Sequence, residues 1–307
     1  MTTTLTGRTA RAVPPKGTAP RSRPRRRVAP YFFVLPALLL FAAFKIYPIG
    51  RSFVISLHKT VGGTEQFVGA DNYTRLLGDP LFWTALKNTA VILVVQVPVM
   101  LALATGLAVA LNSRLLRGRA VFRLGFFLPM VTGLVAYGVI FSVLLNKDFG
   151  LLNWLMDLVG LDPVPWLTDP LWAKVSLGLA LTWHYTGYNA VILLARLQSV
   201  PAELYDAAAV DGAGAWTSFR HVTLPGLRPA LLLTTVLSTI GTLQIFDEPF
   251  VLTGGGPDNA TLTIGLYLYQ NAFKYFDFGY ASAIAYALAV LIGILGLIQF
   301  RLLGEKT

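Results

Sequence analysis

Apolar residues in this chain run almost unbroken over six stretches, 31–50, 87–111, 122–145, 172–197, 229–246 and 280–300. Each is bounded by charged or turn-forming residues, such as Arg114-Leu-Leu-Arg-Gly-Arg119 and Lys147-Asp-Phe-Gly150. About 20 apolar residues in a helix cross the hydrocarbon core of a bilayer, whereas a barrel strand needs about ten in strict alternation. The pattern therefore predicts an all-α polytopic membrane protein with six transmembrane helices. Residues 31–307 form one bilayer-embedded domain on this reading, and residues 1–30, rich in Thr, Pro and Arg, a disordered basic tail. The apolar run continues past Lys45 through Ile46-Tyr47-Pro48-Ile49, which favours an uncleaved first span over an export signal.

Composition narrows the class further. Hydrophobic residues make up 55% and charged ones 13%, against about 25% charged in an ordinary globular domain. There is no cysteine, so disulfides and thiolate chemistry are excluded. Charge supplies the orientation. With both termini inside, the inner flanks hold 17 of the 25 Lys and Arg but four of the 15 acids, so the net +10 divides into +13 inside and −3 outside. Both N and C termini are expected in the cytoplasm. Basicity spread over four flanks makes no nucleic-acid recognition surface.

Three connections carry pattern. Helical spacing of apolar residues over 149–160 predicts an amphipathic helix on the outer surface. Leu252-Thr-Gly-Gly-Gly-Pro257 can fold tightly or approach a partner closely. Asn72-Tyr-Thr74 and Asn259-Ala-Thr261 match glycosylation sequons and are assigned no function. The inner loop 198–228 is the most patterned. Pro201 fits a first helical turn, Glu203 complements the helix dipole, and Asp211-Gly212 supplies a stop ahead of a second short helix ending before Pro225. Leu204, Ala207, Ala208 and Asp211 share one face of little bulk. The residues alone leave two readings open, a helix docked by a partner and a loop packed beneath its own bundle.

This loop resembles the signature of inner-membrane permeases of binding-protein-dependent ABC importers, Glu-Ala-Ala, three residues, Gly, nine residues, Ile, one residue, Leu-Pro. Here it stands as Asp206-Ala207-Ala208, Gly212, Val222 and Leu224-Pro225, with every spacing kept and Asp206 and Val222 as the departures. Pro201-Ala-Glu-Leu-Tyr205, the Gly-Gly-Gly-Pro loop and Phe278-Gly-Tyr-Ala-Ser282 are similar to the carbohydrate-uptake branch, the maltose-type first subunit above all. The resemblance implies a type I importer fold and a transport subunit rather than an enzyme. It also implies a second homologous permease, two copies of an ABC ATPase, an extracytoplasmic solute-binding protein and a sugar substrate. No cofactor is implied in this chain, since ATP and Mg belong to the ATPase. The ATPase contact would fall on Glu203, Asp206, Ala207, Ala208, Asp211, Gly212, Ala213, Leu224 and Pro225.

Polar residues within spans are functional candidates, because burying them in hydrocarbon is costly. Span four offers Trp183-His-Tyr-Thr-Gly-Tyr-Asn189, and span five Ser238, Thr242 and Gln244, with Asp247 and Glu248 at its outer end. Aromatic faces with amide and carboxylate groups suit hydroxyl-rich sugars, so Tyr185, Tyr188, Asn189, Gln244 and Asp247 are the expected solute-path residues. The same side chains can instead hold helices together. An ion-coupled secondary transporter is the main alternative, although nearly every acid lies in a flank or loop. An importer for a non-sugar solute such as a glycerol-phosphate ester is another. An intramembrane hydrolase lacks Gly-x-Ser-x-Gly and His-Glu-x-x-His.

Overall fold

Asp79-Pro80 and Asp169-Pro170 each begin a long helix. A computed structural model of the chain describes residues 29–61, 64–113, 116 and 118–303. All but the last two residues of the expected basic tail lie outside the described residues, as do Arg114 and Arg117. The chain divides after Gly50 into two compact units. The elements are α1 (Ala29–Phe41), α2 (Tyr47–Ser56), a hairpin of β1 (His58–Val61) and β2 (Thr64–Phe67), α3 (Asp71–Gly78), α4 (Pro80–Asn112), α5 (Arg119–Val131), α6 (Leu134–Leu144) and α7 (Leu151–Asp157). There follow α8 (Pro170–Leu197), α9 (Ala202–Val210), α10 (Ala215–Ser218), α11 (Leu224–Leu243), α12 (Asp247–Leu252), α13 (Ile264–Tyr269) and α14 (Phe278–Leu303). A π turn at Ala42–Ile46 joins α1 to α2, and another at Phe219–Thr223 joins α10 to α11.

Among the described residues four helical stretches, 33–56, 80–112, 215–243 and 278–302, are long and apolar enough to cross a membrane, five if the bent pair α5–α6 is one span. Helix α8 has the length, 28 residues, but Trp183–Asn189 dilutes its apolar centre.

Three expectations are corrected. The third apolar stretch is not continuous: α5 and α6 meet at about 100°. Pro129 lacks an N–H for the helical ladder and Gly133 caps the next helix, so the run breaks between them. The second span begins well before Lys87, because Asp79 accepts from the Leu81 N–H at 2.9 Å and Pro80 occupies the first turn. Asp169-Pro170 starts α8 in the same way. The second helix of the inner loop does not stop before Pro225; α10, the π turn and α11 form one helix over 215–243. Widening the turn ahead of Pro225 accommodates its missing N–H.

Small residues let the long helices approach. Ala104 and Ala108 of α4 pack in one cluster with Ala190, Leu193 and Leu194 of α8 and Ala230 of α11. At the opposite end Leu76, Phe82, Leu262, Tyr267 and Ile284 form another. There Asn72 is buried and donates to the carbonyls of Ser56 and His58 at 2.8 and 2.9 Å, so it is no glycosylation acceptor. The Gly-Gly-Gly-Pro loop folds back on itself, the Gly255 N–H bonding the Pro249 carbonyl and the Thr261 N–H the Gly255 carbonyl, and the segment after it is held to α4: Asn88 donates to the carbonyls of Asn259 and Leu262, and Thr89 accepts from the Ile264 N–H. Gly254 and Gly255 take φ of 62° and 92°, which glycine adopts without penalty.

Asp79 ties this end together. Its carboxylate accepts from the hydroxyls of Tyr267 and Tyr280, while Arg75 lies 3.9 Å over the Tyr280 ring and pairs with Asp277 at 2.6 Å. Burial alone would push the Asp79 carboxyl up, but the two hydroxyls and the backbone N–H groups of Leu81 and Phe82 outweigh it and hold it below its ordinary 3.8. A depressed carboxyl stabilises the fold above the unfolded value, and that contribution is lost as pH falls through the folded one. Asp79→Ala is expected to cost about 2 kcal/mol, a helix cap plus hydrogen bonds. The measurement is the thermal midpoint in detergent at neutral pH, and the gap to wild type should close as pH falls below 3.8.

Candidate functional site

Helix α11 ends at Leu243 and α12 begins at Asp247. That break turns Gln244, Asp247 and Glu248 toward the middle of α8, and a cavity of about 320 Å³ lies between them. All five expected solute-path residues, Tyr185, Tyr188, Asn189, Gln244 and Asp247, line it. They are brought together from two segments of the chain, 185–189 and 244–247. Ser238 and Thr242 of α11 and Gln96 and Met100 of α4 complete much of the wall. The volume lies within the range of small-molecule sites, about 300–1,000 Å³.

Glu248 is buried and accepts from the Tyr185 hydroxyl at 3.4 Å. The Asn189 Nδ2 donates to the Tyr185 carbonyl at 3.0 Å and to the Met100 Sδ at 3.6 Å, while its Oδ1 is buried without a partner. Beside the cavity, Tyr137 stacks on His184 with ring centroids 4.7 Å apart. His184 Nδ1 is likewise buried and unpartnered among the described residues, while the buried Tyr137 hydroxyl interacts with the Glu248 carboxyl. Gln96 and Tyr137 escaped sequence reasoning. Each is a lone polar group in an apolar run, and the cost of burying such a group was the signal that could have found Gln96.

The inner-loop residues stand apart from the cavity. No side chain of α9 is buried, and Val210 and Trp216 are 87% and 73% exposed. Helix α9 is thus largely exposed, whereas Thr223 and Leu227 of the same loop are buried. Helix α9 ends in a Schellman turn: Gly212 has φ 76°, its N–H bonds the Ala209 carbonyl at 3.1 Å, and the Ala213 N–H bonds that of Ala208 at 2.9 Å. Glu203, Asp206, Ala207 and Asp211 are exposed, as is Leu224, while Ala208, Ala213 and Pro225 are half-buried. The Tyr205 hydroxyl meets Thr223 Oγ1 at 3.0 Å, pinning α9 to the π turn.

The family model of the binding-protein-dependent transport system inner membrane component matches residues 27–306. The chain belongs to that family. It is a multi-pass membrane transport component, not an enzyme. Among relatives of this permease, the lactose transport system permease protein LacF of Rhizobium radiobacter is 43% identical over 281 residues, covering 90% of this chain and 94% of that protein. The trehalose/maltose transport system permease protein MalF of Thermococcus litoralis is 36% identical, covering 85% and 89%. In fold, the permease is similar to a bacterial ABC transporter involved in import of the acidic polysaccharide alginate, with a TM-score of 0.81 at 23% identity, covering 92% of this chain and 97% of that one. A bacterial alginate ABC transporter in complex with alginate pentasaccharide-bound periplasmic protein gives 0.79, again at 23% identity, covering 90% and 94%.

Proposed function

We propose that this permease carries a sugar through the membrane as one half of an ATP-driven importer, with the cavity between α8, α11 and α12 on the solute path. The observation that carries the reading is the convergence of Tyr185, Tyr188, Asn189, Gln244 and Asp247 on that one cavity. The lactose and trehalose/maltose permeases among its relatives support the sugar class. Six spans follow if α1–α2, α4, the bent pair α5–α6, α8, the 215–243 helix and α14 each cross once, with both termini cytoplasmic. Loop 198–228 then faces the cytoplasm, and the exposed α9 with Glu203, Asp206, Ala207, Ala208, Asp211 and Gly212 docks an ABC ATPase, with Ala213, Leu224 and Pro225 behind it. ATP and Mg stay on that ATPase. A second homologous permease and an extracytoplasmic binding protein complete the assembly, the latter in keeping with the periplasmic protein of the alginate transporter.

Affinity purification of the tagged permease from a mild-detergent extract, read by mass spectrometry, tests the assembly. A second permease and a P-loop ATPase should co-purify; a lone protein in several detergents would favour an ion-coupled transporter. Gly241→Trp tests the path. Nothing lies within 4 Å of a Cβ at Gly241, which lines the cavity, so the indole would fill it. Lactose uptake by the assembled importer should fall at least about tenfold, 1.4 kcal/mol in barrier height, with insertion unchanged.

A further inference from the structure

The cavity holds two carboxyl side chains, Asp247 and Glu248, and neither Lys nor Arg among its described lining residues. We propose that it passes uncharged, hydroxyl-rich solutes and excludes acidic ones. This rests on the reading of the cavity as the solute path. Two independent properties point the same way. The first is charge: an anion entering here meets the carboxyl of Asp247 beside that of Glu248 and, among the described lining residues, no Lys or Arg, in surroundings where charge interactions are weakly screened.

The second is hydrogen-bond polarity. Asn189 is 2% exposed, its amide nitrogen is committed to Tyr185 and Met100, and its free Oδ1 can only accept. The Tyr185 hydroxyl is already directed at Glu248. The unfilled capacity at Asn189 is thus that of an acceptor, which an O–H donor from the solute fills, while the amides and hydroxyls of Gln96, Tyr188, Ser238, Thr242 and Gln244 can exchange hydrogen bonds with hydroxyls in either direction. Sugar hydroxyls meet both needs. A carboxylate, sulfonate or phosphate ester brings further acceptors and negative charge, so a glycerol-phosphate ester is a poor fit. The faces of Tyr185, Tyr188 and Phe246 suit the C–H faces of a sugar ring.

Saturation-transfer-difference NMR on the assembled importer in lipid nanodiscs tests this, with lactose and lactobionate as probes. They share a galactose end, and lactobionate replaces the reducing glucose ring with an open gluconate chain that carries a carboxylate, so the charge effect is read from the change in ratio on neutralising Asp247 and Glu248. Wild type should saturate lactose at least about tenfold more strongly than lactobionate, because unpaired like charge suppresses the wrong partner. Asp247→Asn with Glu248→Gln should narrow that ratio severalfold. Equal saturation of both sugars in wild type, lost in Gly241→Trp, would overturn the charge rule and leave the solute path standing. Saturation that survives Gly241→Trp would put the sugar elsewhere and overturn the path itself. Exclusion of lactobionate undiminished in the doubly neutralised variant would overturn the assignment to these carboxyls.

Discussion

A permease carrying Asp206→Lys together with Gly212→Val should reach the membrane in wild-type amounts and yet lose at least about nine-tenths of its uptake, a coupling deficit near 1.4 kcal/mol. Both changes fall on the exposed loop, where nothing lies within 4 Å of a Cβ at Gly212, so the bundle has no reason to unfold. Their effect is on the shape and charge of α9. A β-branched residue held at φ 76° costs about 1–2 kcal/mol, so the Schellman turn opens and the last turn of α9 frays. Lysine at 206 reverses the charge on the exposed side chain that replaces the signature glutamate. Immunoblotting of membranes, uptake of a radiolabelled sugar that the wild-type importer carries and co-purification of the ATPase together make the measurement. Wild-type uptake in the double variant would remove α9 from the coupling contact.

Gly187→Val should abolish folded protein altogether. A Cβ at Gly187 would lie 1.6 Å from the Phe126 carbonyl oxygen, which is backbone and cannot rotate away. Helix α5 crosses α8 at that glycine, and a branched side chain forces the two apart. Overpacking that moves backbone typically costs about 1–3 kcal/mol, and a 1.6 Å clash with a carbonyl oxygen places this site at or beyond the upper end. Size-exclusion chromatography of detergent extracts should find aggregate or nothing. Gly178→Ala is the control on the same helix, with nothing within 4 Å of its Cβ, and should elute as wild type. A monodisperse Gly187→Val peak would mean that the crossing yields cheaply.

Much of the architecture was legible because hydrocarbon imposes one dominant rule, and the long apolar runs obey it. What escaped was what apolarity does not encode. Pro129 and Gly133 sit inside an apolar run and read as its continuation, yet there the helix turns through about 100°. Lys87 looked like a boundary, while Asp79-Pro80 had already set the start of α4. The β1–β2 hairpin pairs a four-residue strand with another, too short for a periodic signal. At the cavity, polarity within spans four and five found α8 and α11, but which of those side chains meet is a matter of helix rotation and of the α11–α12 break. Glu248 stood among the polar residues at that break and was passed over for Asp247, though the structure buries Glu248 against Tyr185.

The unbroken helix over 215–243 also has a mechanical consequence. At 29 residues it is a rod about 43 Å long, from a rise of 1.5 Å per residue. Its lower end lies beside Gly214 in the exposed elbow, and its upper end reaches the wall that Ser238, Gly241 and Thr242 give the cavity. Leverage on such a rod is geometric: pivoting it by about 5° at one end sweeps the other through about 4 Å, more than the width of a water molecule. A tilt of that size about the elbow would therefore resize the cavity without any residue between them changing conformation.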